Sequence, residues 1–192
     1  MEADFSVELG LEDETLEFPW SDADGKLRYY DLKRHPENMV LLQEVRGFAE
    51  LGDLLRRINS PRSPLETAKC DAWYSLEMSV EDEIFDAPCK YGCYVDLLFS
   101  DDRRHSFATH EQFPAEFVRL LKRVPEIPAR AEMLVRRCYY RAGQDLQPGF
   151  YMTLYVFGYG EDEAAARRQC GIGLQLAGNA IAQLCEERSH SR

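Results

Sequence analysis

Long apolar runs are missing from this sequence. No stretch approaches the roughly 20 residues that cross a bilayer, so no membrane span is expected. The first 25 residues contain no lysine or arginine. Without a basic segment leading into an apolar one, MEADFSVELGLEDE does not read as a secretory signal, and the cytoplasm is the expected compartment. Motifs that fix catalytic groups at set spacings are absent too: there is no Gly-x-Ser-x-Gly elbow, no phosphate-loop lysine motif and no metalloprotease His-Glu-x-x-His. No cofactor is expected on these grounds.

What is present suits one folded unit. A chain of 192 residues buries about 70% of the surface its unfolded form exposes, enough for a core without staples, and 45% hydrophobic with 11% aromatic residues fits a globular domain. The six cysteines are therefore expected as small buried hydrophobes rather than a disulfide framework. Net charge is −11 and unevenly placed. Nine carboxylates fall within residues 1–25, leaving 25 acidic against 23 basic residues for the rest, a body near neutrality. An acidic chain repels phosphate backbones, so no nucleic-acid partner is expected. Residues 1–15 read as a mobile acidic arm on a single domain spanning 1–192.

Periodicity places the elements. Phe150 to Tyr159 is apolar on both faces, as a central strand is, then turns through Gly158 and Gly160 into a long helix from Glu161 to Glu187. Leu16–Trp20 and Lys26–Leu32 flank Asp-Gly as a hairpin signal. Pro36 opens a helix running to Val45, and Phe48, Leu51, Leu54, Leu55 and Ile58 stripe a second. Ala68, Cys70, Ala72, Tyr74, Leu76 and Met78 alternate with Lys69, Asp71, Trp73, Ser75 and Glu77 as a half-buried strand. Cys89 to Phe99 is its hairpin partner across an acidic tip, Glu81 to Asp86. A helix from Pro114 to Val124, stopped by Pro125, and a strand from Glu132 to Arg141 complete the pattern. The expected fold is α+β: a largely antiparallel sheet of about six strands, built from strand-strand-helix units and in part ordered like a ferredoxin-like layer, with helices packed on it.

Chemistry-bearing residues are few. Cys89, Cys93, His105 and His110 approach the spacing of a two-cysteine, two-histidine zinc site, but the extended stretch from Tyr94 to Ser100 carries the histidines away from the cysteines. Metal is the minor reading, and Cys70 beside Asp71 is an isolated nucleophile candidate. Gly171, Gly173 and Gly178 lower helix propensity and imply close backbone approach, within the chain or against the same helix of a second subunit in a homodimer. The best ligand candidates are Trp73, Tyr94, Asp71 and Asp96, because a sheet face mixing aromatics with charges offers apolar area and polar handles together. The expected function is non-enzymatic binding of a small molecule or a protein partner. The alternative is an enzyme with a Cys/His/Asp site near the end of the 67–110 hairpin, zinc-dependent in one form.

Overall fold

A computed structural model describes the chain apart from residues 11, 23, 27, 125 and 190–192, with the backbone alone at 187–189. Leu11 of the expected N-terminal arm and Pro125, the expected helix stop, lie outside the described residues.

Six strands, β1 (Glu2–Glu8), β2 (Thr15–Phe18), β3 (Leu65–Ser75), β4 (Cys89–Phe99), β5 (Ala129–Ala142) and β6 (Asp145–Gly160), form one sheet ordered β1-β5-β6-β4-β3, with β2 also on β5. Among these six the long pairings are antiparallel, whereas β1 and β2 both run parallel to β5. The sheet is thus mixed. β1 pairs residues 130–136 and β2 pairs residues 137–140, so the two lie end to end as one interrupted edge strand. Residues 2–8, expected as part of an arm, are therefore built into the sheet.

All the longer helices, α2 (Ala49–Ile58), α3 (Phe107–Leu121) and α4 (Glu163–Ser189), contribute to one core with the same sheet face. That face is dry: Cys93, Val95, Leu97, Met133, Val135, Met152, Leu154 and Val156 are all buried there. Each such aliphatic side chain removed from water is worth about 1.5–3 kcal/mol. β6 lies between β4 and β5, the central position that its two-sided apolar pattern implies.

Several local expectations are corrected. Gly158 and Gly160 do not turn the chain; β6 runs through both, and their missing side chains let α4 lie against the strand. A Cβ on Gly158 would sit 2.0 Å from the Cys170 amide nitrogen and 2.3 Å from the Ala166 carbonyl. The helix glycines serve the same purpose within the chain. Gly171 faces Glu50, Gly178 faces Leu54 and Arg57, and Gly173 faces Val156. α3 starts at Phe107, ahead of Pro114, because the Ser106 side chain accepts the Thr109 amide as an N-cap. The helix expected from Pro36 to Val45 is interrupted at Leu42, whose extended backbone separates a 3-10 turn, Pro36–Leu41, from α1 (Gln43–Gly47). Among the described residues the Asp-Gly hairpin shrinks to a bridge between Ser21 and Arg28 and one bond from the Tyr29 amide to the Trp20 carbonyl, and residues 28–32 add no strand to the sheet. β3 begins earlier than its alternation implies and slips register between Thr67 and Cys70, which leaves Leu76 beyond its end and exposed.

Candidate functional site

The second sheet face is open where the helices are absent, and pairing register decides what stands on it. Asp71 is opposite Tyr94, and Tyr94 opposite Tyr155, which pairs in turn with Glu132. The neighbouring row is Trp73, Gly92, Phe157 and Arg130. Four rings therefore converge. Trp73 lies 6.4 Å from Tyr94 and 6.1 Å from Phe157, and Tyr155 lies 5.8 Å from Tyr94 and 6.1 Å from Phe157. Gly92 makes this possible: a Cβ there would meet the Trp73 ring at 2.9 Å and the Phe157 ring at 3.0 Å. Lys90 and Arg130 each stand 5.4 Å from the Phe157 centroid, within range of a cation–π contact.

Both ends of this face are walled. At one end the β3–β4 connection folds back as a 3-10 turn, Val80–Phe85, and stacks Phe85 on Tyr159 at 3.9 Å. Of the acidic tip, Glu81, Glu83 and Asp86 are exposed, as a solvated tip is, and Asp82 is pinned beneath them. Asp82 is buried and takes Lys90 Nζ at 2.6 Å, the Tyr159 hydroxyl at 2.5 Å and the Ser79 amide at 2.8 Å. Burial raises its carboxyl pKa, but these three donors outweigh burial and hold it at about 2. At the other end the last residue of β1 and the chain leading into β2 supply carboxylates: Arg136 gives Nε to Glu8 at 2.8 Å and stands 3.4 Å from Glu14.

Asp96 lies beneath this network. Its Oδ1 accepts the Thr153 hydroxyl at 2.7 Å, and both residues are buried. Burial pushes its carboxyl up to about 6, with the Thr153 bond and the charges of Lys69 and Arg136 acting the other way. Of the four residues singled out in the sequence, Trp73 and Tyr94 stand on the aromatic face and Asp71 is exposed beside them, its carboxylate accepting the Ala72 amide at 2.7 Å. Asp96 shares their face but not their accessibility.

A cavity of about 460 Å³ opens beside β3, and Asp71 and Tyr94 both line it. Trp20 and Tyr30 add aromatic surface, Lys26, Arg28 and Lys69 bring three cations, and Glu44 and Asp71 bring two carboxylates. Trp20 is fixed by its indole N–H, which donates to the Ala68 carbonyl at 2.9 Å, and Lys69 lies 5.2 Å over its ring. Lys69, two residues before Asp71 on β3, reaches this side by the same alternation. No match was found. Comparison with models of known families, with characterised proteins and with solved structures returned nothing similar to this chain.

Cys70 lines this cavity, but the cysteines and histidines of the zinc-like spacing are used elsewhere. Cys89 donates to the Gly160 carbonyl, and Cys93 lies 3.8 Å from the Cys170 sulfur. His105 bonds the Pro148 carbonyl through Nδ1 at 2.7 Å, and His110 bonds the Ser106 carbonyl at 2.9 Å while packed against Phe99 and Phe150. Among the described residues no three His, Cys, Asp or Glu side chains gather as a metal site. Strand alternation also parts the Cys/His/Asp set. Cys93 points into the helix-covered core, whereas Asp96, three residues on, points to the other face. The Cys93 thiol is raised well above its usual pKa by its bond to Cys170 and then by burial, and burial raises Cys70 to about 12, so neither is a ready thiolate. Burial likewise lowers His110 to about 4.

The partners that sequence reasoning missed are Phe157 and Trp20, whereas Lys69 already shares the strand face of Trp73 by alternation. Phe157, like Tyr155, belongs to the alternation read as a buried strand face. Only the register of β6 on β4 brings them beside Trp73 and Tyr94.

Proposed function

We propose that this chain is a non-enzymatic binding domain for a flat, anionic small molecule, held in the cavity beside β3 with the ring cluster of the open sheet face as its continuation. The observation that carries the reading is the cavity lining: three aromatic rings with three cations against two carboxylates, in a space of about 460 Å³. Typical ligand sites run from about 300 to 1,000 Å³ and combine apolar area with a few polar groups that fix orientation. Trp20 and Tyr94 supply stacking surface, and Lys69 and Arg28 supply the charge that selects an anion.

The two tryptophans make the test direct, because Trp20 lines the cavity and Trp73 stands on the adjoining ring cluster. Trp73→Phe leaves Trp20 as the sole indole. A planar aromatic anion is expected to quench Trp20 emission saturably in that variant, and Lys69→Gln with Tyr94→Ala is expected to weaken binding at least about tenfold, the loss of one stacking and one charged contact. Binding that is unchanged in the Lys69→Gln, Tyr94→Ala protein would contradict the reading.

A further inference from the structure

A second cavity, of about 550 Å³, lies on the other side of the chain entering β3 and has a different chemistry. Its lining includes three cations, Lys33, Arg34 and Arg104, and two of them are already engaged. Lys33 directs Nζ to the carbonyls of Ser60, Ser63 and Leu65, at 3.2, 2.5 and 2.8 Å, so all three of its protons are used by backbone. Arg34 faces Asp31, with Nε 3.7 Å from its carboxylate. Arg104 differs. Among the described residues it makes no ion pair, and its Nε is buried without a hydrogen-bond partner. A guanidinium left without an anion at the wall of a cavity is a place where a ligand's anion fits.

The guanidinium is also held in place. It lies 5.2 Å over the Tyr140 ring, and Tyr140 is itself fixed by donating to the Phe150 carbonyl at 2.9 Å. Phe18 packs edge-on to both Tyr140 and Tyr29, giving the cavity an apolar wall. Across from it the Tyr29 hydroxyl donates to Glu66 at 3.3 Å. Burial raises the Glu66 carboxyl above its ordinary pKa.

From this geometry we infer that the cavity is a binding site for a small organic carboxylate with a flat apolar body, the carboxylate taken by Arg104 and the body lying against Phe18 and Tyr29. A planar fork of N–H donors matches a carboxylate in two-point contact, which a backbone-bound lysine does not offer. The site is independent of the cavity that holds Tyr94.

Side-chain nitrogen NMR of the full chain tests it, with sodium benzoate as the probe, benzamide as its uncharged match and sodium phosphate as the competing anion. Benzoate is expected to shift the Arg104 Nε–H resonance and the Tyr29 ring signals saturably, with a Kd of about 1 mM or tighter. Benzamide is expected to shift neither. Arg104→Gln is expected to weaken benzoate binding at least about tenfold, as loss of a charge-assisted pair does, while Tyr94→Ala leaves it unchanged. The assignment is overturned if benzoate fails to move the wild-type Arg104 resonance at about 10 mM, roughly ten times the expected Kd. It is overturned equally if Arg104→Gln binds benzoate as wild type does, or if phosphate shifts the same signals as strongly. Should Arg104→Gln not fold, the wild-type resonance decides alone.

Discussion

The two faces of this sheet are built from the same strands, yet they follow different rules. On the helix-covered face Cys93, Val95, Leu97, Met152, Leu154 and Val156 are buried side by side, and contact with α4 is so close that glycine is needed in β6. On the other face the residues between them are Tyr94, Asp96, Thr153, Tyr155 and Phe157, and cover comes from short segments at the two ends rather than from helices. The first face is fixed by shape; the second joins a small apolar cluster, Leu16, Leu98, Cys138, Tyr140 and Tyr151, to paired polar groups such as Asp96 with Thr153. A core of the first kind tolerates no added atom where backbones meet; a surface of the second kind has side chains that can give way.

Glycine substitutions give the largest contrast. Gly158→Ala puts a Cβ 2.0 Å from the backbone of Cys170, and only movement of α4 as a body relieves that. Destabilisation of about 4 kcal/mol or more is expected, a large share of the total stability of a domain, read as a collapse of the urea midpoint. Gly92→Ala meets ring edges of Trp73 and Phe157 at 2.9 and 3.0 Å, which can rotate. Its expected cost is about 1–2 kcal/mol with a shift in Trp73 emission. Equal losses in the two variants would mean that the open face is as rigidly packed as the covered one.

Next in size are the two buried aspartates under the open face, which differ in partners. Asp82 has Lys90, Tyr159 and Ser79; Asp96 has the Thr153 hydroxyl. Asp82→Asn strands Lys90 and is expected to cost about 2–3 kcal/mol, somewhat less than for a fully buried pair because Lys90 keeps some exposure. Its carboxyl is held low, so its contribution is present above the ordinary Asp range and is lost as pH falls from about 4 through 2. Asp96 runs the opposite way. Because its folded pKa is raised from 3.8 to about 6, the folded protein binds that proton more tightly than the unfolded chain does, and stability falls as pH climbs through this window. Asp96→Asn keeps an acceptor for Thr153 and removes the buried charge. It is expected to raise stability at pH 7.5 by about 1–3 kcal/mol, with the gain fading below about pH 4. Chemical denaturation at several pH values measures both, and a destabilised Asp96→Asn protein at pH 7.5 would show that Asp96 is ionised and well paired.

Much of the covered face was legible in the sequence, because it depends on periodicity alone. The stripe of α2, the alternation of β4 and the two-sided apolar pattern of β6 each follow from residues a few positions apart. That Trp73 and Tyr94 share a face with Asp71 and Asp96 follows from alternation within each strand and the hairpin joining them. The finer composition of the open face was not legible, since it rests on contacts distant in the chain. Glu8 reaches Arg136 only through parallel pairing of β1 with β5, and Tyr155 joins Tyr94 only through the β4–β6 register. Local signals also misled where two readings compete. Pro114 suits a first helical turn, but the Ser106 cap starts the helix earlier, which carries His110 into the core. The acid-rich run around Asp82 reads as solvated until Lys90 and Tyr159 are found beside it.

The smallest expected effects lie in the acidic N-terminal segment, whose carboxylates differ only in what their partners do. Glu17 bonds Arg141 at 2.8 Å, with both side chains about half exposed, whereas Glu8 bonds Arg136 at the same distance and the arginine is 11% exposed. Solvent screens the first pair, and long side chains lose freedom to make it, so Glu17→Gln is expected to change stability by less than about 0.5 kcal/mol. Arg136 also touches Thr153, which holds Asp96, so Glu8→Gln disturbs a connected set and is expected to cost about 1 kcal/mol. Raising salt to about 1 M shortens the screening length to about 3 Å and is expected to erase the Glu17 effect while leaving most of the Glu8 effect. If both losses vanish together, Arg136 is solvated like Arg141, and the polar cover of the open face is a surface decoration rather than part of the fold.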